Sequence, residues 1–197
     1  MDVVTVVDGR TQRGARNRQA IIDALIACYD DGELRPSVQQ VADRAGVSAR
    51  SVHNHFVDVE GLCAEVSQRQ WERFSHLAVV IDVARPLTER VEQLVTQRAE
   101  IFEGLTPVRR AALLMAPDSP TIVANLARLD RTLRHQIERA FPGIAPDTLD
   151  AVDALASWDT WNRLRAAQGV ALPRARLVLV TAIRTLLQDL TDNEGDA

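Results

Sequence analysis

Ser37-Val-Gln-Gln-Val-Ala-Asp-Arg-Ala-Gly-Val-Ser-Ala-Arg-Ser-Val-His-Asn-His-Phe56 reads as two short helices joined by a tight turn. Ser37 is a helix N-cap whose hydroxyl can accept a backbone N–H, and Gly46 is the natural stop for the helix over 38–45. Ser48 caps a second helix over 49–55. Ala42 is small where two helices must cross closely, and Val41, Val47 and Val52 are spaced to pack that crossing. Glycine turn, small residue beneath it and a second helix left outside are the physical requirements of a helix-turn-helix. The outward residues of the second helix, Ala49, Arg50, Ser51, His53, Asn54 and His55, supply donors and acceptors with little apolar mass. Such a face can reach base edges and phosphates.

Helical periodicity continues on both sides of this stretch, and no run alternates as a strand does. A first helix over 14–31 carries Ile21, Ala24, Leu25 and Cys28 on one stripe. A longer helix capped by Asp58 reaches about residue 81. Pro86 opens a helix to about residue 103. Thr106-Pro107 and Ser119-Pro120 each look like a cap with proline at the first helical position. Further helices are expected over 146–168, ending at Gly169, and over 173–190. The expectation is an all-α chain of about nine helices, with a DNA-binding domain over 14–74 and a helical ligand-binding and dimerisation domain over 75–197.

Composition narrows the classes. The chain has 197 residues, 46% of them hydrophobic, with formal net charge −4, so a packed core is expected and general polyanion binding is not. No apolar run approaches the ~20 residues of a spanning helix. Residues 1–9 lack the basic start of a secretory leader, so a cytoplasmic protein without a membrane partner is expected. Cys28 and Cys63 both fall in apolar helical patterns and read as reduced thiols. The first 60 residues hold seven arginines against nine acids, so DNA contact must come from a local basic face. Arg10, Arg13, Arg16 and Arg18 fall in nine residues without an acid and read as a flexible arm that tracks phosphates or a minor groove.

The quoted stretch, followed by Glu60 and Leu62, resembles the DNA-binding signature of the TetR family of transcription regulators. The likeness is tight over residues 14–74, with a weaker echo at Trp161-Asn-Arg-Leu-Arg165 and Gly169. By position, the resemblance implies phosphate contacts from Ser37, Ser51, His53 and His55, and base-edge contacts from Gln39, Ala49, Arg50 and Asn54, with Ser48 beside them. Arg50 is the strongest base reader, since arginine to guanine is the commonest specific contact. Two positions depart from the family pattern: His53 stands where tyrosine is usual and Val59 where lysine is usual. His53 can still donate to phosphate. Val59 cannot, which leaves backbone N–H groups near Asp58.

The resemblance also implies a double-stranded, palindromic DNA operator, a small-molecule effector and a homodimer, with repression as the family default. The residues independently offer Trp71, Phe74, Phe102, Met115, Ile122, Leu126 and Trp158 as the lining of an effector site for an apolar or amphipathic molecule. The last helix is apolar over most of its circumference. Leu149, Val152 and Ala156 before it, with its own Leu179, Ile183, Leu186 and Leu190, are the expected dimer seam. No cofactor and no metal are expected, and no nucleophile or glycine-loop motif points to catalysis. Two rivals remain: a metal sensor built on His53-x-His55 with Cys28 and Cys63, and a helical adaptor that has lost DNA binding.

Overall fold

The computed structural model describes the backbone of residues 9–56 and 59–193 and the side chains of residues 12–55 and 61–188. Asp58, the expected cap, and the side chains of Arg10, Val59 and Leu190 lie outside those residues. Among the described residues there are nine α-helices and no strand: α1 Gly9–Asp30, α2 Val38–Ala45, α3 Ala49–Phe56, α4 Val59–Phe74, α5 Leu87–Met115, α6 Pro120–Ala140, α7 Pro146–Leu155, α8 Trp158–Asn162 and α9 Leu172–Asn193. None is long and apolar enough to cross a membrane. The chain divides into two compact units, one drawn from Met1–Gln70 with Pro107–Asn125, the other from Trp71–Thr106 with Leu126–Ala197.

The first unit is built on an apolar core. Ile21, Ile22, Leu25, Ile26 and Tyr29 from α1 meet Val41 and Ala42 of α2, Val52 of α3, and Leu62 and Val66 of α4. Their spacing on α1 is the three-and-four repeat of one buried helix face. Burial pushes the Tyr29 phenol above its ordinary value. Ser67 donates to the Cys63 carbonyl at 2.9 Å and accepts from Asn125 Nδ2 at 3.0 Å, which ties α4 to the start of α6.

The second unit holds a separate core that includes Leu94, Phe102, Ile137, Val152, Trp158, Trp161, Leu179 and Ile183. Two tryptophans lock its end. Trp158 Nε1 donates to the Thr106 hydroxyl at 3.0 Å, and that hydroxyl donates to the Phe102 carbonyl at 2.6 Å. Trp161 Nε1 and Arg165 Nε both donate to Glu103 Oε1 at 2.9 Å, while Arg165 Nη1 donates to the Val170 carbonyl at 2.6 Å. The Trp161–Arg165 segment singled out in the sequence is therefore a clamp of this unit onto α5. Gly104 leaves room for the Phe74 ring, which lies where a Cβ would stand.

Several helix boundaries differ from expectation. Thr106-Pro107 does not open a helix, because α5 runs through Pro107 without a break. A proline inside a helix costs roughly 3 kcal/mol, but Ile101, Phe102 and Leu105 before it and Val108 and Ala111 after it are all buried. Burial of that many side chains outweighs one lost N–H. Conversely, the expected helix over 146–168 is interrupted. Ser157, in extended conformation, accepts from the Thr160 N–H and starts α8, which continues into a π-helical turn, Arg163–Ala167. The fourth helix also ends at Phe74, with a 3₁₀ turn, Ser75–Leu77, after it.

Candidate nucleic-acid interface and effector site

α2 and α3 are set by local hydrogen bonds before any distant contact acts. The Ser37 hydroxyl accepts from the Gln40 N–H at 3.2 Å, and the Ser37 N–H donates back to Gln40 Oε1 at 2.8 Å. This reciprocal capping box satisfies two orphan donors of α2. Gly46 then adopts φ 66°, a left-handed conformation that strains any residue with a Cβ. Ser48 accepts from the Ser51 N–H at 3.2 Å and so starts α3. Val41, Ala42 and Val52 close beneath the turn, all buried.

What this arrangement leaves outside is the functional face. Arg50, His53 and Asn54 are exposed at the i, i+3 and i+4 positions of α3, which lie side by side on a helix. Ser51 and His55 are half-buried at its edges. Gln39 is exposed on α2, where its Nε2 donates to Asp43 at 2.7 Å. Ala49 is the exception among the base-edge candidates: it packs against the core of the unit, so its methyl is turned inward.

The basic segment is a helix and not a loose arm, since α1 begins at Gly9. Arg13 and Arg16 are exposed on it. Arg18 is held inward. Its Nε donates to Glu65 at 2.5 Å and its Nη1 meets His55 Nδ1 at 3.4 Å. A guanidinium donating to Nδ1 places the ring proton of His55 on Nε2, and a cation there opposes a metal ion at the same atom. Arg18 is thus a staple joining α1, α3 and α4 more than a phosphate contact.

The expected effector residues are divided between the two units. Phe102 and Trp158 are buried in the core of the second unit, with Phe74 packed against it. Leu126 is half-buried and Trp71 is exposed in that same unit, whereas Met115 and Ile122 belong to the first. Spacing along a helix identified apolar positions but could not say which core each one enters.

The second unit contains something the sequence reading passed over, a buried polar seam between α5 and α6. Arg90 Nη1 donates to the Ala140 carbonyl at 2.8 Å, Gln136 Nε2 to Gln97 Oε1 at 2.5 Å, and Arg98 Nη2 to the Leu133 carbonyl at 2.7 Å. The partners run in opposite order, so the two helices are antiparallel along the seam. Arg98 is 1% exposed. Burial lowers its guanidinium to about 10, with Asp153 acting weakly the other way, so it remains charged at neutral pH. A signal was present: Arg98 lies four residues after Leu94 and four before Phe102, a charge on the apolar stripe of its helix.

The expected dimer seam needs correction. Leu149, Val152, Ala156, Leu179 and Ile183 are all buried in the core of their own unit, and Leu186 is half-buried. They are consumed by the chain itself. On α9 the inward stripe is Ala175, Leu179, Ile183 and Leu187, while Leu177 is 64% and Val178 42% exposed. Among the described residues of α9, Leu177 and Val178 are the exposed large apolar side chains.

No known family model and no curated protein sequence matches the chain. Solved structures do. A transcriptional regulator from Rhodococcus sp. is similar at TM-score 0.65 and 18% identity, over 89% of this chain and 96% of that one. A member of the TetR family from Streptomyces coelicolor is similar at TM-score 0.61 and 21% identity, over 84% of this chain and 96% of that one.

Proposed function

We propose that this chain, which has the TetR-family fold, is a sequence-specific DNA-binding transcription regulator, a repressor that leaves a palindromic operator when a small-molecule effector binds. The observation that carries the reading is the exposed Arg50, His53 and Asn54 face of α3, held by the capped α2 and the Gly46 turn. A short helix presented over an apolar crossing can enter a major groove, where arginine reads guanine O6 and N7. Arg13 and Arg16 on α1 add sequence-independent attraction to phosphates. Nothing in this reading calls for catalysis, a cofactor or a metal.

One reading helix spans too few bases for a unique site, so the proposal includes a two-fold dimer reading half-sites about 34–36 Å apart or a multiple of that. The exposed Leu177–Val178 side of α9 supports a second copy of the chain as its partner. The test is a gel-shift series on the operator recovered from bound genomic fragments. Arg50→Ala should weaken binding by about 1–3 kcal/mol and relax preference at one base per half-site. Leu177→Glu, an exposed position, should leave the fold intact, yield monomers in sedimentation and weaken operator binding. If Arg50→Ala left both affinity and base preference unchanged, α3 would not be the reading helix, and a helical adaptor would become the better reading.

A further inference from the structure

We propose that Arg98 is the anchor for the carboxylate of an amphipathic effector received along the α5–α6 seam of the second unit. The inference rests on the effector-responsive reading above and gives that effector a chemical class.

The case begins with hydrogen-bond accounting. A guanidinium carries five N–H donors and cannot discard its charge at neutral pH. Arg98 is 1% exposed, and one donor, on Nη2, reaches the Leu133 carbonyl. Its Nε and Nη1 are buried without a partner. Leu133 lies within α6, so its carbonyl already serves as acceptor to the helix ladder four residues on. Among the described residues no carboxylate meets Arg98; Asp153 acts on it only through space and is itself bound by Arg134 at 3.3 Å. A buried cation with open donors is among the costliest arrangements in a protein interior, and an anion that completes its donors removes that cost.

The rest of the seam adds one more open donor and two open acceptors. Arg90 Nε, Gln93 Oε1 and Gln136 Oε1 are also buried without partners. The same stretch of α5 turns Leu94, Val95 and Phe102 into the core. Open polar atoms beside a continuous apolar wall suit a molecule with a charged head and an apolar body. A carboxylate matches the flat fork of a guanidinium through two parallel N–H bonds. The head is enclosed in this structure, so it enters as the long side chains bridging α5 to α6 let go of each other. Once Gln136 and Gln97 let go of each other, the Gln136 Nε2 amide that now donates to Gln97 Oε1 is free to donate to the incoming carboxylate.

The test uses the full chain and three probe pairs: octanoate with octanol, dodecanoate with dodecanol, and phenylacetate with 2-phenylethanol. Binding is followed by tryptophan fluorescence and melting temperature. At least one carboxylate should bind tenfold or more tightly than its alcohol. Arg98→Met should abolish that preference while leaving alcohol binding in place, and should melt at or above the wild type, because it removes an unpaired buried charge without emptying the site. A structural role would instead lower the melting temperature of Arg98→Met. The inference is overturned if no carboxylate outbinds its alcohol, if Arg98→Met keeps the preference, or if it melts well below the wild type. A gel shift on the same samples separates the two readings: loss of DNA binding with carboxylate preference intact removes the regulator and leaves the site, and the reverse removes the site alone.

Discussion

The helix-turn-helix segment and the α5–α6 seam treat polar groups in opposite ways. Among the described residues of α1 to α3 the buried side chains are hydrophobic, Tyr29 included, the helix ends are closed by Ser37, Gly46 and Ser48, and Arg13, Arg16, Arg50, His53 and Asn54 stand outside. Along the seam, Arg98, Gln97 and Gln136 are buried and several of their polar atoms lack partners. An apolar interior with local caps gives one stable shape for presenting fixed donors to a rigid target. A half-satisfied polar interior lowers stability and leaves donors that a ligand can complete. The difference separates a reading surface from a receiving one.

The largest effect that can break this contrast comes from the apolar side. Ile21→Ala empties a fully buried position of the first unit and should cost about 2–5 kcal/mol in denaturant unfolding, opposite in sign to Arg98→Met. A loss well below 1 kcal/mol would show that the first core is loosely packed and that the two regions do not differ as described.

A smaller effect tests whether the turn is locally specified. Ser37→Ala removes the hydroxyl that accepts from the Gln40 N–H and should cost about 1 kcal/mol, with faster amide exchange in the first turn of α2. Unchanged exchange there would mean that packing alone, and not the capping box, holds α2 in place.

The smallest effect concerns the tryptophan clamp of the second unit. Hydrogen bonds from the Arg165 guanidinium, with a further one from Trp161, hold the Glu103 carboxyl below its ordinary 4.5, against the opposing effect of partial burial. A lowered folded-state value means that the contribution is present above about pH 4.5 and fades as pH falls through the lower folded value. The melting-temperature advantage of the wild type over Glu103→Gln should therefore be flat near neutrality and shrink on acidification. Because the carboxylate is partly exposed, the advantage should be modest and weaken with salt. An advantage that grew in acid would reverse the sign of the argument.

Local chemistry made some elements legible in advance. Ser37, Gly46 and Ser48 gave the α2 bounds of 38–45 and the start of α3 at Ala49 because caps and positive φ act over a few residues. The outward face with Arg50, His53 and Asn54 followed from the same helical period. Ala49 and Arg18 were less legible: both sit on that surface in sequence order, but one is drawn against the core and the other into an ion pair with Glu65, 47 residues away.

The sequence by itself determined an all-α chain, the helix-turn-helix and the amphipathic stripes, since these depend on capping, turn geometry and period. Only the tertiary structure decided that Pro107 lies inside a helix, that Ser157 begins one, and that Ile183 faces inward while Leu177 faces out. Period places residues on a common face of a helix. It cannot choose between two apolar faces, nor weigh one missing N–H against the burial of both flanks, because those energies come from residues distant in the chain. Arg98 is the clearest instance: its place on an apolar stripe was visible in the sequence, but that its donors find no partner is a property of the packed helices around it.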